Sequence, residues 1–121
     1  MLPIELTFLW QQLFNLLSTL SIDSILKLKV TLRAAIDLFE SQILTINLDD
    51  LPDPIAAKMR SYTTETHRLL RLLPMDVMFI TAARNDSTRQ QRRQAYQDKL
   101  DLLLRYCQGV EELGDWKQPN S

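Results

Sequence analysis

Leucine recurs through the first twenty residues at alternating spacings of four and three. Leu2, Leu6, Leu9, Leu13, Leu16 and Leu20 therefore fall on one side of a helix, and Trp10, Phe14 and Leu17 widen that stripe. Pro3 suits a first helical position, so the pattern predicts a helix from Pro3 to about Leu20. A second stripe, Ile25, Leu28, Leu32, Ile36, Phe39 and Ile43, fades near Ile46, with Ser21 or Asp23 placed to cap it. Residues 47–54, Asn-Leu-Asp-Asp-Leu-Pro-Asp-Pro, read as a loop, and Asp53 followed by Pro54 reads as the cap and opening turn of a third helix. That helix carries Ile55, Met59, Tyr62, Leu69 and Leu73 on one face. An interior proline costs roughly 3 kcal/mol or more, so Pro74 is expected to kink or break it. Val77 and Ile80 keep the same phase beyond Pro74, which favours a kink. Asn85-Asp86-Ser87 forms the last loop, and Ser87 with Gln90 has the spacing of a capping box. The fourth stripe is Tyr96, Leu100, Leu103, Cys107 and Val110, ending near Gly109 or Gly114.

Long amphipathic helices with short connections pack as antiparallel neighbours. The expected fold is all-α, an antiparallel up-down four-helix bundle over residues 1–114, with a loose tail over 115–121. Composition agrees. The 121 residues are 45% hydrophobic and 24% charged, within the globular range, and hold only two glycines, too few for the turns of a sheet protein.

A net charge of −1 gives no overall field toward nucleic acid or membrane. Its distribution is uneven. Residues 1–53 carry three basic and seven acidic groups, whereas residues 54–110 carry ten basic and five acidic. Gln11, Gln12 and Asn15 interrupt the most apolar stretch, so no run approaches the ~20 residues of a membrane span. A lone cysteine and a start with Pro3 and Glu5 in place of Lys or Arg give the cytoplasm as the expected location.

Catalysis needs convergent groups, and the chain offers none. His67 is expected on the surface, opposite the apolar face of its helix. Cys107 lies on a core stripe and reads as a small buried hydrophobe. There is no ligand set at metal spacing, no phosphate-binding glycine loop and no Glu-x-x-His pair, so neither cofactor, metal nor small-molecule substrate is expected. Asp49, Asp50 and Asp53 read as a solvated acidic loop, because Leu51 and Pro52 interrupt any cation-binding pattern.

Three features exceed what a minimal bundle needs. Ile4 and Phe8 lie four apart and off the main seam, forming either one apolar spot or two scattered surface residues. Leu72, Met75, Met78 and Phe79 point away from the face carrying Leu73, Val77 and Ile80. They read as a dimer or partner surface, or as positions buried internally by the chain ends. Arg84, Arg89, Arg92 and Arg93 crowd the last loop, three of them where the helix dipole disfavours cations. They read as a solvated helix end or as a patch for an anionic partner. A nucleic-acid-associated regulator using Arg84–Arg93 is the alternative, opposed by the net charge and by the lack of interleaved aromatics other than Tyr96.

The stretch from His67 to Gln108 resembles a known family. His-Arg-Leu-Leu-Arg-Leu-Leu-Pro-Met-Asp-Val-Met-Phe-Ile, then Arg-Gln-Gln-Arg-Arg-Gln, then Leu-Arg-Tyr-Cys-Gln, is similar to the small cyanobacterial PatD proteins, named for control of heterocyst frequency. The similarity weakens over the acidic loop and second helix, and is least over the first. It implies a non-enzymatic regulator of cell differentiation, connected to cell division by binding FtsZ and recruited to the division site. It brings no set of functional residues.

Overall fold

A computed structural model describes residues 2–20 and 25–114. They form four helices: α1, Ile4–Leu17; α2, Ile25–Leu38, continuing directly into a π-helical turn, Phe39–Ile43; α3, Asp53–Ala82; and α4, Asp86–Gly114. No strand occurs among the described residues, so the chain is all-α. The capping side chains expected at Ser21 or Asp23, and the tail over 115–121, lie outside the described residues.

Helix α1 packs on α2 and α4, and α3 packs on the same two. The contacts run in opposite order along neighbours. Early α4 meets the end of α1, where the Tyr96 hydroxyl donates to the Leu20 carbonyl at 3.0 Å. The end of α4 meets the start of α1, with Gly114 close to Leu2 and Thr7. Near the start of α3, Tyr62 packs on Tyr106 of α4, their ring centroids 5.8 Å apart. Its hydroxyl also crosses Gly109, where an added Cβ would stand 2.5 Å away, and this close approach explains a glycine inside α4.

The four stripes read from leucine spacing are the core. Leu6, Leu9, Trp10, Leu13 and Leu17 are buried in α1, Leu28 and Leu32 in α2, Met59, Leu69, Leu73, Val77 and Ile80 in α3, and Tyr96, Leu100, Leu103, Cys107 and Val110 in α4. In α1 the buried line passes through Leu17, while Leu16 is half-buried. The helix also stops at Leu17, short of Leu20. Ser18 and Thr19 turn their hydroxyls back onto the Asn15 and Leu16 carbonyls, and the main chain tightens into i→i+3 bonds there.

Two helix signals resolve differently from expectation. Pro52, not Asp53, is the N-cap of α3; Asp53 lies in the first turn, where its charge suits the dipole without capping. Asn85, not Ser87, caps α4, its Oδ1 accepting the Thr88 N–H at 2.8 Å. Helix α3 runs on through Pro74, as the shared phase of Val77 and Ile80 favoured. The proline removes the bond to the Leu70 carbonyl, but Leu70 and Leu73 before it and Val77 and Ile80 after it share one buried face. That shared burial carries the helix through.

The π-turn has no signature in Phe-Glu-Ser-Gln-Ile. The Leu44 N–H reaches the Phe39 carbonyl at 2.9 Å, five residues back. The wider turn keeps both Phe39 and Ile43 buried and leaves Glu40 half-buried beside α3.

Candidate functional site

The last turns of α3 lie against the first turns of α4, and this junction gathers most of the residues singled out from the sequence. Arg92 places its guanidinium over the Phe79 ring, 4.7 Å from the centroid, a cation–π geometry that holds an otherwise mobile side chain in place. Phe79 is 39% exposed, Met75 48% and Met78 64%, so the apolar surface is open. Leu72 is half-buried. These residues do not form one undivided patch. Phe79 lies toward α4, under Arg92, whereas Met78 turns the other way and lines a groove with Pro74, Val77, Lys29, Leu32, Arg33 and Ile36. Met75, Met78 and Phe79 are thus surface positions and not internally buried ones.

The arginines also separate. Arg89 donates to the Asp86 carboxylate at 2.8 Å and to the Ala83 carbonyl at 3.0 Å, tying the end of α3 to the start of α4. Local structure therefore accounts for Arg89 despite the unfavourable dipole. Arg84 and Arg92 are exposed and Arg93 is half-buried. Asp76 is not their partner. Buried beside Tyr96, it has the Lys99 ammonium 3.0 Å from Oδ2, an ionic contact outside hydrogen-bond geometry. Burial, with the Asp76 charge adding to it, pushes the Tyr96 hydroxyl up to about 12.

At the opposite end, Ile4 is 85% exposed and Phe8 58%. They line a groove between α1 and α4 with Leu2, Thr7, Gln11, Glu111 and Gly114. A narrow cleft continues from it beneath Thr7, Gln11 and Glu111 to Trp10, whose indole N–H has no protein acceptor among the described residues. On α2, Leu26 is 78% exposed and Val30 68%; both lie off the apolar seam, and that displacement was the available sign that they face outward.

One polar cluster has no sequence motif. His67 is not a plain surface histidine. It is half-buried, stacked on Phe39 at 5.7 Å, and its Nε2 donates to Glu40 Oε2 at 2.8 Å. Arg71 donates to the same oxygen at 2.9 Å. Glu40 lies one turn after Ile36, which lines the groove with Pro74 and Val77 of α3, and so faces the same helix. The His67 hydrogen bond, and secondarily Arg71, hold the Glu40 carboxyl below the ordinary 4.5 against the opposing effect of burial. A depressed carboxyl contributes stability that is present above 4.5 and lost as pH falls through the lowered value. Glu40→Gln is therefore expected to lower the melting temperature at neutral pH and to flatten the acid limb, the two proteins converging as pH falls. An unchanged acid limb would show that the cluster does not link α2 to α3 energetically.

The chemistry these groups can perform is limited. Burial pushes the Cys107 thiol up to about 12, so it is not a thiolate at neutral pH. Among the described residues no group of three His, Cys, Asp or Glu side chains could hold a metal ion, and no helix is long and apolar enough to cross a membrane. What remains is surface: an apolar, arginine-edged junction at one end and an apolar groove beside Glu111 at the other. Compared with protein families, with curated proteins and with solved structures, the chain has no match.

Proposed function

We propose that this chain is a non-enzymatic regulator that acts by binding another protein, in the manner of the PatD proteins it resembles, with FtsZ as the partner and heterocyst frequency as the process affected. The proposal takes the helices as an antiparallel up-down bundle with α3 bent at Pro74, working in the cytoplasm and recruited to the division site. The observation that carries it is the Arg92–Phe79 junction. An exposed aromatic ring covered by a guanidinium, with exposed Met75 one turn before it, combines the residue types that dominate binding energy at protein interfaces. Arginine's rigid fork of donors suits carboxylates, so the partner surface is apolar with acidic residues around it.

The test is the rate of association with purified FtsZ. Arg84, Arg92 and Arg93 are changed together to Glu, and Arg89 is kept because it holds the loop. Exposed charges steer encounter, so the triple variant is expected to associate at least tenfold more slowly at low salt, with a smaller change in dissociation. Wild-type kinetics in the triple variant would remove the arginine edge from the interface. The same edge supports one second reading, a nucleic-acid contact. That reading requires a steep fall of affinity for DNA or RNA with salt, since each neutralised phosphate adds about one to the log–log slope.

A further inference from the structure

The fold sorts the charges differently from the sequence halves. Helix α2 belongs to the acidic half of the chain, yet Lys29 and Arg33 line the groove with Pro74 and Met78, at the end of the molecule that also holds the α3–α4 loop. They join Arg84, Arg89, Arg92 and Arg93 in a basic pole, where Asp86 is paired with Arg89 and Arg33 with Asp37. The opposite end holds the start of α1, the loop before α3 and the last turn of α4. Exposed Glu5, Asp49, Asp50, Asp53, Glu111 and Glu112 lie there, with Asp49 paired to Arg60. Helix α4, 29 residues long, spans the two poles, which stand about 43 Å apart.

Each pole also carries exposed apolar side chains. The basic one has Phe79, Met75 and Met78; the acidic one has Ile4 and Phe8 in the α1–α4 groove, walled by Glu111. The two surfaces are complementary in charge and alike in apolar content, and they belong to the same molecule.

We propose that copies of this chain dock head to tail, the Arg92–Phe79 junction of one seating in the Ile4–Phe8–Glu111 groove of the next. Seated end to end, two different patches meet, so the contact is heterologous; each copy leaves one patch free, and the assembly propagates. The inference uses the edge assigned above to the partner, so self-docking and partner binding compete for it. The groove belongs to self-docking alone, and this separates the two ideas experimentally.

The experiment is sedimentation velocity of the full chain over a concentration series, in low salt and in 1 M salt, where the screening length falls to about 3 Å. Wild type is expected to form species that grow beyond dimer with concentration and dissociate in 1 M salt. Phe8→Ser with Glu111→Gln disables the groove; Arg92→Glu with Arg93→Glu disables the junction. Each double variant alone is expected to be monomeric. Mixed, they are expected to form a 1:1 dimer that grows no further, because one intact junction meets one intact groove. That rescue also shows that both variants are folded. A wild type monomeric at every concentration, a wild-type dimer that does not grow, assembly indifferent to salt, or a mixture that stays monomeric would each overturn the proposal. The groove variant should still bind FtsZ, so loss of self-docking is not mistaken for loss of the partner site.

Discussion

Phe39→Ala is expected to destabilise the protein by about 3–5 kcal/mol, the usual range for truncating a fully buried aromatic side chain. Phe39 is 0% exposed. It meets Trp10 of α1 edge to face, with centroids 5.8 Å apart at 84°, and stacks on His67 of α3. One ring thus joins three helices, at the first residue of the π-turn. Its removal leaves a cavity and loosens the base from which Glu40 reaches α3. A domain of this size has a total stability of about 5–15 kcal/mol, so the variant should unfold at much lower urea or be partly unfolded in its absence. Phe8→Ala removes the same side chain from an exposed position and should change stability by no more than about 0.5 kcal/mol. Comparable midpoints for the two variants would show that the core is not organised around Phe39.

The second large effect lies at high pH. Cys107 is raised from 9.0 to about 12 by burial, and Tyr96 from 10.0 to about 12 by burial together with Asp76. The folded state holds both protons more tightly than the unfolded chain. The stability due to each group is therefore fully present below its unfolded value and lost as pH rises through the folded one. The window opens near pH 9 for Cys107 and near pH 10 for Tyr96, and both close near pH 12. At about 1.4 kcal/mol per tenfold change in proton affinity, the losses are on the order of 4 and 3 kcal/mol. Urea midpoints should be nearly level up to pH 8 and fall steeply beyond pH 9. Cys107→Ala should delay the fall. Tyr96→Phe should also reduce it, while lowering neutral-pH stability by about 1–3 kcal/mol, because the buried Leu20 carbonyl loses its donor. A midpoint unchanged from pH 8 to pH 11 would mean that both groups are solvated in the folded protein.

The helices and most of the core were legible in the sequence because one physical rule governs both. Apolar side chains at a period near 3.6 must face inward, and the alternating leucines of α1 leave little choice of face. Helix ends were less legible. Asn85, Asp86 and Ser87 are all competent caps, and only the backbone path decides which oxygen meets the Thr88 N–H. His67 and Glu40 escaped for a different reason. A wheel for α3 alone puts His67 on the outer face and does not show that Glu40, on the neighbouring element, lies within reach of it. The apolar positions of the candidate surface were visible as departures from the seam, and the arginines as cations crowded where the helix dipole opposes them. Their division was not, since whether Met78 faces α2 and Phe79 faces α4 depends on which helices flank α3. Arg89 looked like its neighbours in sequence. Its bonds to Asp86 and the Ala83 carbonyl distinguish it.

The proposed function is tested most directly by what the chain binds. The tagged chain is used to capture partners from a native cyanobacterial lysate treated with nuclease, and the bound proteins are identified by mass spectrometry. Wild type should recover FtsZ, the Arg84, Arg92 and Arg93 triple Glu variant should recover much less, and nuclease should make no difference. Recovery of FtsZ by neither protein, or capture that disappears with nuclease, would contradict the proposed function.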